Sequence, residues 1–278
     1  MLKNGSEIKL IVSDIDGTIL TSRNELLPEV EDLVRSLVAS KDCALTFSSG
    51  RSFPLTLPII EFFGIKCPFI YSGGTVYSPE GGKPPAFLSL DEPQLAELAR
   101  VTDEFKTGLI IHTLQGMYAR MEDLDWEVIR SLEWIAGKPF QDVVRVPDLA
   151  YPFDSPIIRL DFFAQGVDWL DDVREACLER VPGIHAITMS RSVEITPTGV
   201  HKGAAMTALA RLMGIHTDHI LAIGDSINDL PMIKMAGVGI AMGSAPEALK
   251  RAADIIVPPS DQGGYLQALE LCGKNIHF

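Results

Sequence analysis

The chain has 278 residues, 46% of them apolar and 22% charged, which excludes a disordered chain and leaves room for about two domains. Against 37 acidic side chains stand 24 basic ones, a net charge of −13, so neither nucleic acid nor an anionic membrane surface is an expected partner. No apolar run reaches the roughly 18 residues of a membrane span. Met1–Glu7 lacks an apolar leader core and the cysteines at 43, 67, 177 and 272 form no Cys-x-x-Cys pair, so a cytoplasmic protein with reduced thiols is expected.

In chain order, Lys9–Ser13 is an apolar run of the kind that forms a buried parallel strand, and it stops at Asp14-Ile-Asp16-Gly17-Thr18. Val30, Leu33, Val34, Leu37 and Val38 keep helical spacing and predict a helix over 28–39. A second strand at 43–47 ends on Ser48-Ser49-Gly50-Arg51, a helix covers 55–63, and a third strand at 68–71 ends on Ser72-Gly73-Gly74. The breaker cluster Ser78–Pro85 then marks a domain linker. Beyond it the pattern mixes a helix at 93–105, a hairpin of 109–113 with 117–121, a helix at 124–136, a strand at 157–163, a helix at 169–180 and a strand at 184–189. The strand–helix rhythm resumes at Val193–Thr196. It continues through a helix at 202–213, a strand at 219–223, a helix at 228–235, a strand at 238–242, a helix at 245–252 and a short strand at 254–257. The expected fold is α/β: a Rossmann-like parallel-sheet core over 1–80 and 191–278, split by an inserted α+β domain over 81–190. Gly81-Gly82 and Ser190-Arg191 would be its hinges.

Ligands of an open parallel sheet bind outside the carboxyl ends of its strands. The predicted strands deliver Asp14 and Asp16, Ser49 and Gly50, and Asp225, Asn228 and Asp229 to that edge. Carboxylates converging on one cleft repel one another, and a hard divalent cation with oxygen ligands resolves the repulsion; Mg²⁺ suits a set of one or two carboxylates with waters and substrate phosphate. Singly, each motif has a structural reading as a turn or helix cap. Their coincidence on one edge favours a site.

Asp14-Ile-Asp16-Gly17-Thr18, Ser49-Gly50-Arg51, Lys202-Gly203 and Gly224-Asp225-Ser226-Ile-Asn228-Asp229 resemble, in order, the four motifs of the haloacid dehalogenase superfamily. The long insert between the second and third resembles its Cof-type phosphatases. The resemblance implies a Mg²⁺-dependent phosphomonoesterase of a small phosphorylated metabolite, with Asp14 as nucleophile, Asp16 as general acid and then base, and Lys202 neutralising the phosphoryl oxygens. It implies phosphate donors at Ser49, Gly50, Lys202 and Asn228. The implied metal ligands are Asp14, the Asp16 backbone carbonyl and Asp225, with Asp229 behind them. The insert is implied to be a cap acting as a lid. His112, Arg120, Arg145 and Arg159 are its polar candidates for substrate contact, with His112, Arg120 and Arg159 expected to set preference among substrates. Gly73, Ser244 and Ser260 depart from the family's asparagines at positions bordering the site.

Other readings are weaker. A phosphomutase would use the same groups, and a signalling module phosphorylated on Asp14 would need no lid. A dehalogenase would lack Asp16. The glycines of Gly237–Gly243 straddle a predicted strand instead of opening a helix, against dinucleotide binding. His216 and His219 lack further ligands for a tetrahedral metal.

Overall fold

In the computed structural model the residues described are 7–40, 43–78, 87–114, 116–120, 143–147, 153, 155–163, 169–189 and 192–273. The expected linker beyond Ser78, the helix expected at 124–136, both expected hinges and the side chain of Arg145 lie outside them. The chain divides into two compact units, one comprising 1–51, 56–85 and 201–278, the other 52–55 and 86–200.

The first unit is built on five parallel strands: β1 (Leu10–Ser13), β2 (Ala44–Phe47), β11 (Ile220–Gly224), β12 (Val238–Met242) and β13 (Ile255–Val257), in the order β13-β12-β11-β1-β2. Leu10, Ile11, Val12, Ile220, Leu221, Ala222 and Ile223 are all buried, as a sheet covered on both faces demands. Register places Ser13 beside both Ile223 and Phe47, so the loops after β11, β1 and β2 leave the sheet side by side. A short hairpin of β3 (Phe69–Tyr71) and β4 (Thr75–Tyr77) is tied to the end of β2 by the Ser48–Ile70 bridge.

Two helices show how local sequence fixes this frame. In α1 (Pro28–Ala39), proline opens the first turn, and Val30, Val34 and Leu37 form the buried stripe. In the helix Lys202–Leu212 the His201 side chain caps the start by accepting the Ala204 N–H at 3.1 Å. Met206, Leu209 and Ala210 anchor it in the core, which fixes Lys202 in its first turn.

The second unit is a six-stranded sheet in the order β7-β6-β5-β8-β10-β9, from β5 (Gly108–Thr113), β6 (Met117–Arg120), β7 (Val143–Val146), β8 (Ile157–Phe163), β9 (Ile184–Thr188) and β10 (Ser192–Pro197). All pairs are antiparallel except β6 with β7. Helices Glu92–Phe105 and Leu170–Arg180 pack on one face through Leu98, Val101, Val173 and Cys177 against Leu109, Ile111, Leu160, Phe162, Val193 and Ile195.

The sequence places Val193–Thr196 in the resumed α/β core. The structure corrects this, since β10 pairs antiparallel with β8 and β9 inside the second sheet. The alternation of Val193 and Ile195 with Glu194 and Thr196 is that of a strand with two unlike faces. Strands β4 and β7 were not expected.

Candidate active site

The site is built from the loops after β1, β2 and β11 and from the first turn of the helix at 202–212. The Asp14 N–H donates to the Ile223 carbonyl, which carries the sheet pairing one residue beyond β1 before the chain turns. Gly17 makes the turn possible: its φ is +77°, and a Cβ there would lie 2.3 Å from Asp225 Oδ2. Gly224 gives similar close approach, since its Cβ would meet the Asp229 carboxyl at 2.5 Å.

Lys202 is the electrostatic centre, with 1% of its surface exposed. Its Nζ donates to Asp14 Oδ1 at 2.6 Å and to Asp229 Oδ1 at 2.5 Å. Burial works against its charge, but the Asp14 and Asp229 carboxylates outweigh burial and hold its pKa above the ordinary lysine value. Asp229 is fully engaged, because its Oδ2 also accepts the N–H groups of Asp225 at 3.0 Å and Ser226 at 2.9 Å. The Thr18 hydroxyl lies 3.3 Å from Asp14 Oδ2 and 3.4 Å from Asp225 Oδ1, linking the two loops.

Asp14, Asp225 and Asp229 each offer an oxygen within 4.8 Å of the others. Three carboxylates share one ammonium, so the cluster carries excess negative charge. Burial, then the Asp14 and Asp229 carboxylates, push Asp225 up to about 9. Asp14 rises to about 7, chiefly through burial, with Lys202 opposing the rise. An all-oxygen, over-anionic donor set fits a hard divalent cation. With both Asp229 oxygens engaged, Asp14 and Asp225 are the carboxylates left to face such an ion.

The other expected residues fall as follows. Asp16 lies in the same turn, its carboxylate directed to Arg51. Ser49 is buried; its Oγ accepts the Arg51 N–H at 3.0 Å, and its carbonyl accepts the Gly73 N–H at 3.0 Å. Ser72 packs the same corner with a left-handed φ of +47° and donates its N–H to the Arg51 carbonyl at 2.7 Å. The Asn228 carboxamide oxygen accepts the Ser226 hydroxyl at 2.5 Å, which leaves its NH₂ as the donating end.

In the second unit, His112 and Arg159 converge on a residue the sequence reading missed. Asp161 Oδ2 lies 2.8 Å from His112 Nε2, and Arg159 Nε donates to Asp161 Oδ1 at 2.8 Å. Arg159 Nη2 also lies 3.1 Å from Glu194 Oε2. The quartet is buried on the sheet face opposite the two helices, beside Ile110, Met117 and Ala119. Arg120 is not with them. It sits opposite Leu109 on the helix-covered face and pairs with Asp103 at 2.7 Å.

Residues 11–269 match the family model of haloacid dehalogenase-like hydrolases. The 5-amino-6-(5-phospho-D-ribitylamino)uracil phosphatase YcsE of Bacillus subtilis is 33% identical over 267 residues, covering 95% of each chain. Phosphatase YwpJ of the same organism is 28% identical over 92% of this chain and 97% of its own. Among solved structures, a haloacid dehalogenase-like hydrolase from Bacteroides thetaiotaomicron superposes with a TM-score of 0.81 at 23% identity, over 95% of this chain and 99% of that one. The subclass IIB sugar phosphatase BT4131 also gives 0.81, at 18% identity over the same shares.

Proposed function

Because this chain belongs to the haloacid dehalogenase-like hydrolases and is a phosphatase, we propose that it is a Mg²⁺-dependent phosphomonoesterase working through a phosphorylated Asp14. The observation that carries the reading is the buried Lys202, whose ammonium joins Asp14 to Asp229 beside Asp225. Asp14 and Asp225, with the Asp16 carbonyl, would hold the Mg²⁺. Bound there, the ion would keep both carboxylates ionised and offset charge on the phosphoryl oxygens.

Asp14 attacks phosphorus in line with the departing ester oxygen, and Asp16 protonates that oxygen as its bond to phosphorus breaks. The third N–H of Lys202, the Ser49 hydroxyl, the Gly50 N–H and the Asn228 NH₂ bind the phosphoryl oxygens and orient them. In the second half, Asp16 takes a proton from water, which attacks the phosphorus and frees Asp14. Asp229 holds Lys202 and the loop after β11 in place through its three hydrogen bonds.

The substrate we assign is a small phosphorylated metabolite, in keeping with the phosphorylated ribitylamino substrate in the name of YcsE and the sugar phosphatase among the structural neighbours. The second unit, with His112 and Arg159 in its buried charged cluster, would select the leaving group. The test is phosphate release from a panel of monophosphates with Mg²⁺ present, for the parent and for Asp14→Asn, whose amide fills the same space without being a nucleophile. The reading requires release by the parent and its loss by at least about 10³-fold in the variant. Phosphate release by Asp14→Asn within about tenfold of the parent would exclude the phosphorylated aspartate.

A further inference from the structure

Arg51 is drawn into the site by contacts that neither metal binding nor phosphate binding requires. Its Nε donates to Asp16 Oδ2 at 2.8 Å, and its Nη2 hydrogen-bonds Asp16 Oδ1, a two-pronged grip on one carboxylate. The grip is unequal: the Arg51 side chain is 2% exposed and that of Asp16 43%. Arg51 is also pinned along its main chain. Its N–H donates to Ser49 Oγ, and its carbonyl accepts the Ser72 N–H at 2.7 Å and the Thr56 hydroxyl at 3.2 Å. The guanidinium therefore projects from a fixed point on the phosphate-binding loop onto a residue that is otherwise a half-exposed side chain on a tight turn.

We propose that Arg51 is the positioning residue for Asp16, fixing the carboxylate that exchanges protons with the leaving group and water. The proposal rests on the acid–base reading of Asp16. An arginine serving only the packing of the loop would spread its five donors over several acceptors. Among the described residues, the hydrogen bonds of the Arg51 guanidinium go to Asp16 alone, while its Nη1 is buried with no partner. A planar fork restricts a carboxylate in both position and plane, which a lysine at the same place could not do. During the first half-reaction the proton on one Asp16 oxygen passes to the ester oxygen as the P–O bond breaks and the Asp14–phosphorus bond forms. The other Asp16 oxygen keeps its bond to Arg51 throughout, so the donor remains aimed while one prong lets go.

The test measures the first-turnover rate of Asp14 phosphorylation in the full chain with Mg²⁺, from two donors. Ribose 5-phosphate leaves as an alkoxide that must be protonated; acetyl phosphate leaves as acetate and needs no acid. Arg51→Met should slow phosphorylation from ribose 5-phosphate by about 10²-fold and from acetyl phosphate by less than about threefold. In a double-mutant cycle, Arg51→Met added to Asp16→Asn should cost nothing further, because Arg51 acts only through Asp16. Equal slowing with both donors, or a loss that multiplies that of Asp16→Asn, would overturn the proposal. If Asp16→Asn itself spares ribose 5-phosphate, the acid–base reading fails instead, and the two failures are told apart by that single variant. Should Arg51→Met not fold, Arg51→Lys keeps the charge without the fork, and the same donor-selective slowing is required of it.

Discussion

Binding of a divalent cation should expel protons from this site, because its carboxyls are held above their ordinary range. Without the ion, burial and then neighbouring carboxylates push Asp225 up to about 9 and Asp14 up to about 7, from 3.8 in each case. At pH 7 the pair therefore holds on the order of one to one and a half protons, all of which an ion bound to the charged forms must displace. The apparent affinity for Mg²⁺ should accordingly rise at least about tenfold per pH unit between pH 6 and 8. Isothermal titration at pH 7 in buffers of different ionisation enthalpy gives the proton count as the slope of the apparent heat. The same groups fix a stability trend. Their folded pKa values exceed the unfolded ones, so the ion-free protein loses stability as pH rises from about 4 towards 9, and a bound ion should cancel that loss. A buffer-independent heat together with a flat affinity from pH 6 to 8 would refute the assignment of these carboxylates to the ion.

Three further outcomes follow from single contacts. Lys202→Met removes the charge that holds Asp14 and Asp229, so turnover should fall by at least about 10²-fold. Its loss of Tm should be larger at pH 8 than at pH 5, where a protonated Asp14 no longer needs the ammonium; an equal loss at both would remove the charge argument. Gly17→Ala must place a Cβ 2.3 Å from Asp225 Oδ2 on a backbone with φ +77°, at a cost of about 1–2 kcal/mol in backbone strain alone. It should weaken Mg²⁺ binding measurably, and parental affinity would show that the turn does not set the Asp225 position. Asp161 is held at about 2 because Arg159 and then His112 outweigh the opposing effect of burial. Depressed below its unfolded value of 3.8, it adds about 2 kcal/mol of stability above pH 4, lost as pH falls towards 2. Urea unfolding of Asp161→Asn should lack that decline, and an unchanged slope from pH 4 to 2 would contradict it.

The first unit was legible because its signals are local. Leu10–Val12 and Ile220–Ile223 are continuous apolar runs, and the motif residues follow them directly in the chain. The second unit was less so, because its strands owe their places to partners far away in sequence. Val193–Thr196 lies a few residues before the helix at 202–212, yet pairs with strands 157–163 and 184–188. Arg120 shows a signal present and unused. A hairpin pairing His112 with Met117 must pair Leu109 with Arg120, and an apolar Leu109 predicts the covered face for both. Asp161 and Glu194 were hidden for a different reason: each is a lone acid in an apolar strand, and only the cross-strand register shows that both meet Arg159. Arg51 could be read as part of a motif, but no spacing rule joins it to Asp16, 35 residues away.

The charge placement leads to one more expectation, about the order of binding. A phosphate dianion approaches a chain of net charge −13 and then a pocket whose carboxylates outnumber its ammonium. Among the described residues the two cations beside the site are already paired: Lys202 spends two of its three N–H bonds on Asp14 and Asp229, and Arg51 grips Asp16. Hydrogen-bond donors such as the Ser49 hydroxyl can orient a phosphate but cannot overcome that repulsion in a buried site. The divalent cation must therefore bind first, since it alone turns the local charge favourable. Inorganic phosphate or vanadate should bind at least about 10²-fold more tightly with Mg²⁺ than in chelator, as 332/(εr) with an effective ε near 20 gives several kcal/mol for unit charges about 4 Å apart. Calorimetric titration of vanadate in EDTA and in Mg²⁺ decides it. Equal affinity in both would mean that Lys202 leaves its carboxylates to receive the anion, and the ion would then enter second or not at all.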